Sequence, residues 1–353
     1  DYFTVRYNMV LLLAAEGKYS DCIPFIEETI RRIVETFGKN SIYEAHALFQ
    51  LANVYNNTGL FREAINLYNE VAEIYGNNGG LVNQPGAELL QNAGCAYQAC
   101  GEYDNARTCL ETANNIFEQI AAPAFSQAGC KELLSELYTT IGLYSEAEDV
   151  LSKAFAILEP YGESNEFYQR ALNGLGLLYY NQGKYDEAET VYTRLIDICG
   201  NNLPPIPLST IQQNMGLLYA KSCKYELAED YLLQSLKTIK NEIGEMNPLY
   251  ARVANSLALF WEATGKDLEA FDILLNNKKI YERCGMTSSF EYAICLNNIA
   301  VIANKYKHFE FGLNCMKESI NCIEKMDKGD MDVGLMYGNL GMSYTGLIEF
   351  DSA

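Results

Sequence analysis

Apolar residues in this chain recur at helical spacing, in runs that come in pairs separated by short polar turns. Residues 172–188 show the unit: Leu-Asn-Gly-Leu-Gly-Leu-Leu-Tyr-Tyr-Asn-Gln-Gly-Lys-Tyr-Asp-Glu-Ala. The spacing predicts the end of one helix, a turn at Gly183 and a second helix opening near Tyr185. A glycine after a helix takes left-handed backbone at little cost. Asp186 and Glu187 then sit where the next helix dipole favours negative charge. The small residue Ala188 has equivalents at Cys22, Ala64, Ala106, Ala147, Ala228, Ala270, Gly312 and Ala353, with successive spacings of 42, 42, 41, 41, 40, 42, 42 and 41 residues. A fixed period of this length predicts stacked helix pairs.

Three further columns keep the register. Nine residues before the small position stand Leu13, Tyr55, Tyr97, Tyr138, Tyr179, Tyr219, Trp261, Ala303 and Tyr344. Twelve before it stand Val10, Ala52, Gly94, Ser135, Gly176, Gly216, Ala258, Ala300 and Gly341, nearly all small. The turn aromatic is Tyr19, Phe61, Tyr103, Tyr144, Tyr185, Tyr225, Phe309 and Phe350, with Asp267 as the exception. Small and aromatic residues alternating on one helical stripe are what two closely packed antiparallel helices need. Repeat eight departs furthest, with Ala303, Lys307 and Gly312 in place of tyrosine, glycine and alanine, and a looser pair is expected there. Cys223 replaces the turn glycine of repeat six.

This pattern resembles the tetratricopeptide (TPR) repeat, in the longer variety of the kinesin light chain. The segments Leu296-Asn297-Asn298-Ile299-Ala300 and Leu257-Ala258-Leu259 are similar to that subgroup's first-helix motif, and Gly183-Lys184-Tyr185-Asp186-Glu187-Ala188 to its turn. The resemblance implies an all-α, right-handed solenoid (superhelix) of antiparallel helix pairs. Its expected repeats span about residues 5–45, 46–87, 88–128, 129–169, 170–209, 210–251, 252–293 and 294–334, with a partial unit at 335–353. Longer breaks are expected at residues 79–85, read as a mobile loop, and at the proline-rich residues 200–207, which cannot be helical throughout. The chain opens without methionine and stops at the start of a second helix, so it reads as a piece of a longer protein, with room for an effector domain after Ala353.

Composition narrows the function. A net charge of −20 argues against direct nucleic-acid binding, which needs clustered Lys and Arg. No apolar run is as long as a membrane span. The 11 cysteines are scattered with no C-x-x-C pair, and the chain has only 2 histidines. They read as reduced thiols packed as small hydrophobes, which places the chain in a reducing, cytoplasmic compartment and predicts no metal or cofactor. Neither His46 nor His308 has an identifiable catalytic partner in sequence, so an enzyme is not expected.

The resemblance implies that first helices line a concave groove. Fourteen residues before the small position come Asn8, Gln50, Asn92, Leu133, Gly174, Asn214, Ser256, Asn298 and Asn339. Asparagine is a modest helix former, so this column is unusual. A carboxamide both donates and accepts, and a row of them can pair with the backbone of an extended peptide; asparagines here play that part in kinesin-light-chain-like repeats. The competing reading has each asparagine bonding to a neighbouring helix inside the solenoid. Two flanking columns carry Arg170 and Arg252, and Lys221 and Lys305, which either hold a partner's carboxylates or are solvated charge. The function expected is a protein-interaction scaffold that binds a partner peptide or helix. Two other roles stay open: the regulatory arm of a larger effector such as a caspase-like peptidase, and a peptide-sensing regulator.

Overall fold

The computed structural model describes residues 2–15, 19–199, 204–287, 289–326 and 330–351. Among these residues the chain is helical with short turns, and no strand occurs. The helices pair in order: α1 (Tyr2–Ala15) with α2 (Tyr19–Phe37), α3 (Ile42–Asn57) with α4 (Phe61–Asn77), and α5 (Gln84–Ala99) with α6 (Tyr103–Gln119). Next come α7 (Ala124–Thr140) with α8 (Tyr144–Leu158), and α9 (Glu166–Asn181) with α10 (Tyr185–Cys199). Then follow α11 (Pro205–Lys221) with α12 (Tyr225–Ile243), α13 (Pro248–Ala263) with α14 (Asp267–Arg283), and α15 (Phe290–Lys305) with α16 (Phe309–Met326). A final α17 (Asp330–Asp351) takes the place of a ninth first helix. The fold is a TPR-like helical solenoid.

The turn inside each pair follows one pattern. Gly59, Gly101, Gly142, Gly183 and Gly265 have φ between +74° and +84°. Cys223 and Lys307 adopt the same left-handed backbone at φ +58° and +64°. A side chain in that region costs roughly 1–2 kcal/mol, so repeats six and eight hold their turns against strain. The compensation is visible in the next amide. Leu60, Glu102, Leu143, Lys184, Lys224, Lys266 and His308 each donate their N–H to the carbonyl of Tyr55, Tyr97, Tyr138, Tyr179, Tyr219, Trp261 and Ala303, at 2.7–2.9 Å. This six-to-one bond satisfies a carbonyl that the helix end would leave orphaned.

First helices start about one turn earlier than the columns place them, at Ile42 rather than residue 46 and at Gln84 rather than 88, for example. Their starts are set by caps outside the packing stripe. Asn83 Oδ1 accepts from Gly86 N at 2.8 Å, Asn165 Oδ1 from Phe167 N at 2.9 Å and Asn247 Oδ1 from Leu249 N at 2.9 Å. Pro205 and Pro248 open α11 and α13, where a missing N–H is harmless. Of the expected break at residues 200–207, helix α11 thus takes the last three; Gly200, Asn201, Asn202 and Leu203 lie outside the described residues.

Three sequence expectations change. The break at residues 79–85 is shorter than expected, because α5 opens at Gln84 behind the Asn83 cap. Repeat eight is tight, because the space opened by Gly312 holds Asn304, whose Oδ1 would lie 2.3 Å from an added Cβ. Finally, α17 runs through the position expected to turn before Phe350. Ile348 stands there in place of glycine, and a β-branched residue resists left-handed backbone. Ala353 lies outside the described residues.

Packing within pairs follows the small columns. Ala106, Ala147, Ala188, Ala228 and Ala270 are fully buried. A Cβ on Gly94 would meet Leu110 Cγ at 2.7 Å, on Gly176 the Tyr192 ring at 2.6 Å, and on Gly216 Leu232 Cγ at 2.6 Å. Three later pairs add a buried polar staple seven residues after the small position. Ser235 Oγ donates to Ser209 O at 2.7 Å, Asn277 Nδ2 to Ala251 O at 3.0 Å and Ser319 Oγ to Ala293 O at 2.7 Å.

The chain divides into two compact units. One comprises Ile33–Ala52 and Ile65–Ser235. The other is knit from Asp1–Arg32, Asn53–Ala64 and Leu236–Ala353. In the latter the α3–α4 turn lies against the start of α15: a Cβ on Gly59 would stand 3.1 Å from Ser289 Cβ.

Candidate functional site

In the unit that contains α5 to α11, first helices present one shared face. A cavity of about 390 Å³ is lined by Phe49 of α3, Glu88, Gln91 and Asn92 of α5, Phe125, Ser126, Gly129 and Leu133 of α7, and Phe167 and Arg170 of α9, with Phe117 of α6 beneath. Four consecutive repeats thus bring the columns fourteen, fifteen and eighteen residues before the small position to one place. Helical geometry explains the convergence, since residues three and four apart share a face. Asn92 and Arg170, both expected from sequence, meet here. The aromatic lining was not anticipated: Phe125 and Phe167 stack with centroids 4.7 Å apart and planes at 13°. Gly129 leaves the floor open, because a Cβ there would approach only Phe167, at 4.0 Å.

Arg170 is held in place. Its Nη2 lies 3.1 Å from Glu132 Oε2 and its Nε donates to Glu132 Oε1 at 3.2 Å, a two-point contact. The guanidinium carbon also stands 5.4 Å from the Phe167 centroid. Glu136, one turn further along α7, forms no ion pair among the described residues. It is exposed on the surface of α7. Nearby protein still costs it solvation, which raises its carboxyl pKa and that of Glu132, and Arg170 pulls both the other way.

The asparagine column is used differently farther along. Asn214 Nδ2 donates to Asn173 Oδ1 at 2.9 Å, across neighbouring first helices. In the other unit, Asn298 donates to Asn255 Oδ1 at 3.2 Å, Asn297 to Asn298 Oδ1 at 3.2 Å, and Asn339 to Asn297 Oδ1 at 2.9 Å. These three members of the column therefore spend a donor on a residue fifteen before the small position in the preceding repeat. The acceptors Asn173, Asn255 and Asn297 escaped notice in sequence, although that column also reads Gln91, Glu132 and Gln213. A carboxamide so engaged keeps a second N–H for another partner. Gln50 is half-buried and Asn8 is exposed.

The remaining cations do not join this cavity. Lys305 Nζ reaches Asp267 Oδ1 at 2.8 Å, and Tyr306 donates its hydroxyl to Asp267 Oδ2 at 3.0 Å. Both bonds hold the Asp267 carboxyl below its usual pKa, and they explain why an acid replaces the turn aromatic in repeat seven. Lys221 ends α11 and Arg252 lies in α13; both are exposed. Among the described residues no group of His, Cys, Asp and Glu could hold a metal, and no helix is long and apolar enough to cross a membrane.

Comparison with known proteins agrees with this fold. Profiles of the tetratricopeptide repeat match residues 1–77, 127–201 and 167–241, and a second one residues 87–119. The kinesin light chain-related protein 3 of Arabidopsis thaliana is 21% identical over 269 residues, which cover 74% of this chain and 41% of that relative. The chain thus spans less than half the length of that curated relative. Among solved structures, the nearly identical TPR-like repeats of a kinesin light chain from Podosopora anserina superpose with a TM-score of 0.51 at 17% identity, covering 57% of this chain and 98% of that one. The apo form of the quorum sensor NprR from B. thuringiensis superposes with a TM-score of 0.58 at 17% identity, covering 92% of this chain and 88% of that one. The stacked pairs, the left-handed turns and the profile matches together place this chain in the tetratricopeptide repeat family, with similarity to kinesin light chain-related proteins.

Proposed function

We propose that the chain is a non-catalytic scaffold that captures a segment of another polypeptide on the face made by its first helices. The observation that carries this reading is the cavity formed by α3, α5, α7 and α9, where carboxamides, stacked phenylalanines and a fixed guanidinium surround an open glycine floor. Its volume of about 390 Å³ is in the range of sites that enclose a bound group. Gln91 and Asn92 offer both donors and acceptors to a peptide backbone, and the rings accept an apolar side chain. A role as peptide sensor is the second reading, favoured by the fold likeness to a quorum sensor along 92% of this chain. Activities of a longer protein that contained this chain are a separate matter.

Gly129→Leu tests the site without harming the fold. The side chain would project into the open floor, and leucine gains roughly 0.5–1 kcal/mol over glycine in a helix interior. The variant should melt at the same temperature or higher, yet retain few or none of the displayed peptides that the wild type selects. Equal retention by both proteins would remove the cavity from the binding face.

A further inference from the structure

We infer that this cavity takes a stretch of polypeptide in which a lysine or arginine stands within two residues of a large apolar side chain. The inference rests on the scaffold reading above and adds the chemistry of the occupant. Phe49, Phe125 and Phe167 supply the apolar wall, and the missing side chain at Gly129 leaves depth for an inserted group. Charge supplies the rest. Glu88 lines the cavity, and Glu132 and Glu136 lie one turn apart on the lining helix α7. Among the described lining residues Arg170 is the one cation, and Glu132 already holds it at two points. Glu136 stands beside that like charge, exposed, and Arg170 compensates it only in part. Burial pushes both carboxyls upward against the pull of Arg170, so the surrounding protein costs the pair more solvation than that cation returns. An arriving ammonium or guanidinium restores what desolvation removed, whereas an arriving carboxylate adds a further negative charge. Arg170 therefore braces Glu132 and the Phe167 ring, and Glu132 already answers its charge.

The test is selection of random dodecapeptides displayed on phage against the intact chain, followed by fluorescence polarisation of the best labelled peptides. The expected sequences pair Lys or Arg with Phe, Leu, Met or Trp. Their affinity should fall as salt rises, and Glu136→Gln should weaken it roughly three- to tenfold, the scale of a partly shielded ion pair. Selected peptides that are neutral or acidic around the apolar residue, or affinity indifferent to Glu136→Gln, overturn the inference and leave the scaffold reading standing. Peptides held equally well by Gly129→Leu, or no enrichment at all, overturn both. Circular dichroism on each variant separates lost binding from lost folding.

Discussion

Gly216→Leu should destabilise the protein by about 3 kcal/mol, the upper end of what overpacking costs. An added Cβ alone would lie 2.6 Å from Leu232 Cγ and 3.2 Å from Ala228 O, before the rest of the side chain is placed. Leu232 is fully buried, and its neighbour Ala228 is in the small column, so neither has room to give. Better helix propensity works in the opposite direction, yet leucine gains only about 0.5–1 kcal/mol over glycine. Steric cost wins. The same substitution at Gly129, on another first helix of the same unit, meets open space and should carry the opposite sign. Urea midpoints of the two variants make the comparison; a Gly216→Leu midpoint at or above wild type would contradict the helix-pair register.

Glu118→Ala should cost more stability than Lys131→Met, although the lysine is the buried partner. Lys131 is only 3% exposed, donates to Asn114 Oδ1 at 2.6 Å and pairs with Glu118 on the last turn of α6. Removing the acid strands an ammonium inside protein, whereas methionine removes the charge and keeps the volume. A fully buried pair broken in this way loses about 3–5 kcal/mol. Glu118 is half exposed, and Asn114 and the helix end still favour the cation, so about 1–3 kcal/mol is expected. Acid should erase the difference. Lys131 holds the Glu118 carboxyl below its ordinary value of 4.5, so its stabilisation is complete above that pH and lost as pH falls through the lower, folded value. Unfolding free energies at pH 7 and pH 3 give the check; Lys131→Met as the more damaging change at pH 7 would refute it.

Which parts of this were legible in sequence follows from what the packing demands. The small column could be read because two helices in contact tolerate little beyond alanine at Ala188 or Ala228, and the turn glycines because left-handed backbone excludes most residues. Even Cys223 and Lys307 were placed by the columns around them, and they adopt the left-handed geometry despite the wrong side chain. Repeat eight misled because Gly312 was read as a departure that loosens the pair, when its role is to admit Asn304. The carboxamide column was visible, but its acceptors lie one residue away in the preceding repeat, and no single-column reading pairs residues 41–43 apart. The cavity was hidden for a similar reason. Phe49, Phe125 and Phe167 occupy different columns, and only the stacking of repeats gathers them.

The seat of Gly59 against Ser289 bears on the order in which the molecule forms. One unit is finished once the chain has reached Ser235, whereas the other needs a stretch ending at Ala64 to wait for one that begins at Leu236. Bridging that separation costs loop entropy before any contact repays it, and the cost grows with the logarithm of the intervening length. Refolding should therefore protect amides of α5 to α11 from hydrogen exchange before those of α3's last turn and α15, and simultaneous protection would show that the long bridge is no barrier. On the ribosome the same asymmetry means that the cavity between α3, α5, α7 and α9 is complete while the far end of the chain is still being made.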